Sequence, residues 1–244
     1  MPAFNLKEHL AKEHKRTPLS QYLEEIVYGG NDGIVTTFAV VAGFAGAAKD
    51  PTDSGIPIIT VLLFGMANLF ADGLSMSLGR LVSLRADKDV YKNEMAREQH
   101  EIAHEPEKEA METETILVHK GFNLKDAHTI TSLYRKNPPY WTEFMMKDEL
   151  EMHNPEHEHA LFSAVATFIS FVSFGSIPLV PYIFHIPTMT FTYSVVATIL
   201  ALLLLGVLRG TVSQGKPLRA IFETVVIGSI AAMTAFTVGS FFRV

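Results

Sequence analysis

The sequence contains no cysteine. This absence excludes disulfide bridges, thiolate metal ligands and covalent haem attachment, and it leaves the redox state of the compartment undetermined. The sequence also lacks a Gly-x-x-x-x-Gly-Lys phosphate loop, so ATP-driven pumping is not expected. The polar part of the chain is acidic, and nothing therefore supports a nucleic-acid partner. We expect neither an enzyme nor a catalytic cofactor.

Charge is missing from several long stretches of the chain. Only Asp72 interrupts residues 56–79, and no Asp, Glu, Lys or Arg occurs in residues 33–48, 160–184, 188–208 and 224–242. A helix needs roughly 20 apolar residues to cross a hydrocarbon core of about 30 Å. The last three stretches have about that length, and residues 26–32 complete the first. The pattern predicts an all-α integral membrane protein with five transmembrane helices and no cleavable signal.

Lysine and arginine predict the orientation of these helices. They concentrate in the N-terminal tail, in the segment after the second span and in the loop before the fifth span. Because positive loops stay in the cytoplasm, we expect the N-terminus and the acidic segment to be cytoplasmic. The predicted organisation is an N-terminal tail (1–21), transmembrane helices 1 and 2 (22–85), an acidic domain (86–156) and transmembrane helices 3 to 5 (157–244).

The acidic segment carries 17 of the 26 Asp and Glu residues, all between Arg80 and His159. Glutamates at positions 94, 98, 101 and 105 recur at helical spacing and share one face of a predicted helix. A second helix is predicted to begin at Pro106, and a third piece brings two methionines near another carboxylate. Oxygen and thioether ligands together suit first-row divalent metals better than Ca²⁺ or Mg²⁺. The simpler alternative is a solvated acidic face with methionines that only fill a core.

Acidic side chains inside membrane helices are functional candidates, because burying a charge there costs at least ~2.5 kcal/mol. Asp32 lies about ten residues into the first span, close to the middle of the bilayer by length. On the second span Asn68, Asp72 and Met76 recur at i, i+4 and i+8 and line one face. These four residues form the candidate path for a cation. Alternatively, Asp72 only pairs with a polar neighbour and Met76 only packs.

Five sequence motifs together resemble the vacuolar iron transporter family, which includes nodulin-21-like plant proteins. Each motif alone is weak, but they occur in order and at matching separations. They cover residues 31–43 (NDGIVTTFAVVAG), 75–79 (SMSLG), 97–102 (REQHEI), 135–138 (RKNP) and 144–150 (FMMKDEL).

This resemblance implies a homodimer of five-helix subunits that exports Fe²⁺ from the cytosol, usually in exchange for protons. It also implies a cytoplasmic three-helix metal-binding domain between the second and third spans. By position, the translocation residues would be Asp32 and Met76, and the metal-binding residues would be Glu98, Glu101, Glu109, Glu112, Met145, Met146 and Glu149. Three positions depart from the family pattern: Asn68 replaces a glutamate of plant members, Asp72 a small residue, and Arg80 a glutamate of many bacterial members.

We therefore expect a transporter of Fe²⁺, or of Mn²⁺, Co²⁺ or Zn²⁺, whose partners are metal ions, protons and the lipid bilayer. A prokaryotic cytoplasmic membrane is the expected location, or a vacuolar membrane in a eukaryote. The alternative is a membrane-anchored di-iron oxidase, iron store or sensor, because Glu101-x-x-His104 and Glu156-x-x-His159 have the spacing found in ferritin-like bundles. A passive channel remains a third possibility.

Overall fold

The computed structural model describes residues 5, 9, 18–48, 57–184, 189–212 and 217–242. Within these ranges the chain forms helices, turns and loops, with no strand. Most of the predicted N-terminal tail, residues 1–21, falls outside the described residues. The chain divides into two compact units, one built from residues 1–81 and 161–244 and the other from residues 82–160.

Eight longer helices make up the described chain. They are α1 (Leu23–Ala47), α2 (Ile58–His104), α3 (Pro106–His119), α4 (Leu124–Tyr134), α5 (Pro138–Asp148), α6 (Ala160–Gly175), α7 (Thr190–Val212) and α8 (Pro217–Ser240). Short helical turns occur at Pro18–Gln21, Pro155–His157, Ile177–Leu179 and Val180–Ile183. No helix-breaking residue lies between Arg80 and Glu105, and α2 accordingly continues without interruption for 47 residues.

Four of the described helical segments are long and apolar enough to cross a membrane. They are Ile58–His104, Ala160–Ile183, Thr190–Val212 and Ile221–Ser240. Helix α1 has 25 residues, but it is not among these four. It contains a polar Gly-Gly-Asn-Asp-Gly run that ends at Gly33. The membrane class predicted from the charge-free runs is therefore confirmed, whereas the count of five spans stays a prediction.

Helix α1 lies in the core of the first unit, where it packs against α7 and α8. Glycine permits the close approach of its neighbours. A Cβ atom at Gly33 would lie 2.4 Å from the carbonyl oxygen of Phe171 on α6, and one at Gly239 would lie 2.1 Å from the carbonyl oxygen of Gly43. Both distances are far below van der Waals contact, so these crossings require the absence of a side chain. Small residues thus pack helices closely here, as they commonly do in membranes.

Helices α1 and α2 run antiparallel, and their facing side chains define the register. Glu25 near the start of α1 pairs with Arg80 of α2. At the other end, the rings of Phe44 and Phe64 lie 5.7 Å apart between centroids. Between these two contacts, Asp32 lies close enough to Asp72 for their charges to interact. The fold therefore brings the acidic residues of the two helices to the same level.

The second unit is a small helical domain with its own apolar core. Helices α3, α4 and α5 and the C-terminal part of α2 contribute the buried residues Ile102, Ala110, Leu117, Ala127, Trp141, Phe144 and Met145. Helix α3 begins at Pro106, as predicted, because proline suits a first helical position. Asn123 caps α4 by accepting a hydrogen bond from the backbone N–H of Asp126. These local signals set the helix ends that orient the side chains of the site.

Candidate metal site and membrane path

Three carboxylates converge in the second unit. Glu98 belongs to α2, Glu109 to the first turns of α3, and Glu149 directly follows α5. One carboxylate oxygen from each residue lies within 4.8 Å of the other two. Glu98 and Glu109 are only 3% and 1% exposed, whereas Glu149 is open to solvent. We call these three residues the carboxylate cluster.

Helix ends and helix faces explain why these residues meet. Glu109 lies on the face of α3 that also carries Thr113 and Leu117, both of which are buried. Because this face of α3 packs into the domain core, Glu109 is buried together with these two neighbours. Glu149 is positioned by the end of α5, where its backbone N–H donates to the carbonyl of Met145 at 2.9 Å.

The buried oxygens of the cluster have no hydrogen-bond donor. Both carboxylate oxygens of Glu109 and Oε1 of Glu98 are buried and unpartnered among the described residues. Two ionised carboxylates cannot bond each other, since neither carries a proton to donate. The pair is therefore satisfied only by a shared proton or by a cation. A buried acidic pair with free lone pairs supplies oxygen ligands of the kind that divalent metals bind.

Electrostatics point in the same direction. Burial, followed by the nearby charge of Glu109, raises the pKa of Glu98 to about 8. Burial also raises the pKa of Glu109, with Glu112 and Glu101 adding to the effect. Glu149 is exposed at the surface, yet partial burial of its carboxyl group, followed by the charges of Glu112, Glu109 and Glu101, raises its pKa. Without a cation, the cluster thus holds protons at pH values where an ordinary glutamate is ionised.

Glu101 and Glu112 lie near the cluster, but they are not among the three residues whose oxygens lie within 4.8 Å of one another. Glu101 forms an ion pair with Arg97 at 3.4 Å, and Glu112 forms one with Lys108 at 3.6 Å. Their charges nevertheless act on the clustered carboxyl groups. They are positioned to attract a cation, and either could join a coordination shell only after leaving its basic partner.

The two methionines predicted as ligands are both completely buried. The sulfur of Met145 accepts a hydrogen bond from Thr113 Oγ1 at 3.3 Å, and Thr113 in turn accepts one from Trp141 Nε1 at 2.7 Å. Met145 also belongs to the apolar core of the domain. Packing alone therefore accounts for its position, and its role as a metal ligand stays a prediction, as does that of Met146.

The candidate path in the first unit is half-exposed along its length. Asp32, Asn68, Asp72 and Met76 are all partly accessible, and the two aspartates interact across the α1–α2 contact. Asn31 is the first residue of a family motif but was not predicted to line the path, and its side-chain Oδ1 is buried without a hydrogen-bond partner among the described residues. An unsatisfied amide oxygen beside Asp32 could serve as a further ligand. Only its burial identifies it, because an asparagine next to an aspartate is unremarkable in a sequence.

A buried ion pair lies one turn beyond this path. Arg80 bridges Glu24 and Glu25, with both nitrogen–oxygen distances at 3.2 Å, and Glu25 is only 6% exposed. Nothing in the sequence distinguishes Glu25, since acids at the start of a helix usually face solvent and interact with the helix dipole. At the same end of the unit, Glu223 near the start of α8 forms ion pairs with Arg219 and Arg209.

The geometry gives no support to a di-iron centre. His104 Nδ1 lies 2.8 Å from the carbonyl oxygen of His100, and the two rings stack at 3.9 Å. Glu156 lies in a short 3₁₀ turn, and His159 lies in the loop that follows it. Their side chains are not presented by an α-helix, as the ferritin-like motif requires. The carboxylate cluster itself contains no histidine.

An all-helical membrane protein with a compact carboxylate cluster is thus the class that fold and site define. The sequence profile of the VIT family matches residues 23–240. The chain is 36% identical to vacuolar iron transporter 1 of Arabidopsis thaliana, over 94% of this chain and 90% of the relative. It is 33% identical to vacuolar iron transporter 1 of Eucalyptus grandis (96% and 93% covered) and 32% identical to the vacuolar iron transporter of Plasmodium berghei (96% and 86% covered). The chain belongs to the VIT family.

Proposed function

We propose that this protein transports divalent transition metal, with Fe²⁺ as its principal substrate and Mn²⁺, Co²⁺ and Zn²⁺ as alternatives. The observation that carries the proposal is the buried pair of Glu98 and Glu109 beside Glu149, in which three carboxylate oxygens have no hydrogen-bond donor among the described residues. The relatives named as vacuolar iron transporters support the choice of iron. The protein exports metal from the cytosol, with the acidic unit on the cytoplasmic side and α1 as a fifth span.

The carboxylate cluster captures the ion first. A dication replaces the proton that Glu98 and Glu109 share, so capture releases this proton on the side where the metal binds. Glu101 and Glu112 raise the local cation concentration through their charge. A thioether from Met145 or Met146, once turned toward the ion, would favour transition metals over Ca²⁺ and Mg²⁺.

The ion then crosses the membrane along Asp32, Asp72 and Met76. Two neighbouring acids in a low-dielectric region favour having at least one proton or one cation between them. Protons that enter from the far side would displace the metal and release it, which couples export to proton entry. Two copies of the chain form the working unit in this proposal, as the family resemblance implies.

The test is transport by purified protein in sealed vesicles that contain a pH indicator. We expect metal uptake into vesicles whose outer face carries the acidic unit, together with a rise in internal pH. Asp32→Ala should abolish uptake and leave metal binding by the acidic unit intact. Simultaneous alanine replacement of Glu98, Glu101, Glu109 and Glu112 should weaken binding. Uptake by Asp32→Ala at the wild-type rate would overturn the path, and unchanged binding by the quadruple variant would overturn the capture site.

A further inference from the structure

We infer that the ion pair between Arg80 and Glu25 is a latch that closes the end of the membrane path, and that an incoming dication opens it by taking the place of the guanidinium. This inference concerns the transport path and therefore rests on the proposed function. It assigns a positioning role to Arg80, which acts on the ion through Glu25.

The first step of the argument is the register of α1 and α2. Asp72, Met76 and Arg80 follow one another at intervals of four residues, about 6 Å of rise each. On α1, Glu25 and Asp32 are seven residues apart and share a face. The contact of Glu25 with Arg80 therefore lies two turns from the level at which Asp32 and Asp72 interact. The ion pair thus lies on the same two helices as the two aspartates.

The second step is burial. Ion pairs on a surface contribute little, because water screens both charges. Here Glu25 is 6% exposed, whereas Arg80 is 30% exposed and also contacts the open side chain of Glu24. A buried carboxylate that loses its cation is strongly destabilised, while the arginine can move toward water and keep Glu24 as a partner. Arg80 is thus the mobile member of the pair, and Glu25 is the fixed one.

The third step is competition for Glu25. A guanidinium is always charged and repels a dication that approaches Asp72 and Met76 from this end of α2. A divalent ion can replace it at Glu25, because it brings the charge that the buried carboxylate requires. The exchange gives a latch that stays shut without metal and opens when metal arrives. A lysine at position 80 would keep the charge, and a glutamine would keep most of the length without it.

The absence of cysteine makes the latch directly measurable. Thr36 lies one turn beyond Asp32 on α1, is partly buried and donates its hydroxyl proton to the carbonyl oxygen of Asp32 at 2.8 Å. In Thr36→Cys, the only thiol of the chain would report access to the path. A small neutral thiol reagent is used without metal, so that attraction of a charged reagent cannot change the rate. Thr129→Cys on the exposed face of α4 is the control, and it should react equally in all backgrounds.

We expect Arg80→Gln to speed labelling of the partly buried Thr36→Cys thiol by about tenfold, since the part of the rate that depends on entry past the ion pair follows the population of the open state. Arg80→Lys should stay slow, and the charge exchange Glu25→Arg with Arg80→Glu should return labelling toward the wild-type rate. A purely structural ion pair would change thermal stability without this pattern. If the Thr36→Cys thiol were labelled at equal rates with and without Arg80→Gln, the latch would be overturned. Fast labelling in a folded charge-exchange variant would overturn it as well.

Labelling of the thiol does not require metal transport, so the latch and the proposed function can be refuted independently of each other. Vesicles in which the wild-type protein moves none of the four metals would overturn the proposed function, and the labelling pattern would still decide the latch. If Arg80→Gln does not yield a monodisperse protein, the comparison of Arg80→Lys with the charge-exchange variant decides it. A charge-exchange variant that labels about tenfold faster than Arg80→Lys would overturn the latch, because charge pairing alone should keep both closed.

Discussion

Metal binding by the carboxylate cluster should displace protons and should therefore strengthen as pH rises. Glu98 has a pKa of about 8 because it is buried and faces Glu109. At pH 7 this carboxyl is therefore mainly protonated, and a dication must release that proton to bind. Apparent affinity should increase by about tenfold for each pH unit between pH 6 and 7, and it should level off above pH 8.

The same pKa predicts how pH acts on the metal-free protein. The native state binds more protons than the unfolded state between pH 4.5, the ordinary value, and about 8. The free energy of unfolding should fall as pH rises through this window. Glu98 ionises freely in the unfolded state, whereas its buried position in the native state keeps it protonated. The loss should be confined to the interval between pH 4.5 and about 8, because outside it the native and unfolded states bind the same number of protons at Glu98. Added metal should restore the lost stability at pH 8.

The assay is titration calorimetry of the purified protein with Co²⁺, which is stable in air, in two buffers of different ionisation enthalpy. The difference between the two measured enthalpies gives the number of protons released. Glu98→Gln keeps the shape of the side chain and should bind more weakly, with about one proton fewer released at pH 7. Glu143→Gln, an exposed carboxylate in the same unit, is the matched control and should behave as wild type. Proton release that is absent in wild type, or unchanged in Glu98→Gln, would refute the reasoning.

Three further predictions follow from individual contacts. Asp32→Asn should abolish vesicle uptake without changing the Co²⁺ affinity of the carboxylate cluster, and retained uptake would contradict its place in the path. Met145→Leu conserves volume and should cost less than about 1.5 kcal/mol of stability, yet it should weaken Zn²⁺ binding relative to Mg²⁺. The control is Met111→Leu, at a methionine that is 63% exposed. Equal effects of the two substitutions on Zn²⁺ binding would show that the Met145 thioether is not a ligand. Gly33→Ala places a Cβ atom 2.4 Å from a backbone oxygen of α6 and should destabilise the detergent-solubilised protein by about 1–3 kcal/mol. Gly79→Ala meets nothing within 4 Å and should be neutral or stabilising by up to about 1 kcal/mol; similar melting temperatures for the two variants would contradict the tight α1–α6 crossing.

Sequence alone was sufficient for properties that depend on neighbouring residues. Charge-free runs of membrane length predicted an all-helical membrane protein, because the bilayer requires continuous apolar helices. The start of α3 at Pro106 and the unbroken course of α2 also followed from local rules. Family motifs nominated Glu98, Glu109 and Glu149 as ligands through resemblance, without indicating which carboxylates would be closest.

Tertiary structure decided which of the nominated residues meet and which are already engaged. It joined Glu98 and Glu109 as a buried pair that lacks donors within the described part of the chain, while Glu101 and Glu112 kept basic partners on their own helices. It also paired Glu25 with Arg80 across 55 positions of the chain. Helical periodicity gives the face on which a side chain lies, but the partner of that face depends on how helices pack. Burial, pKa and competition for a cation all depend on that packing.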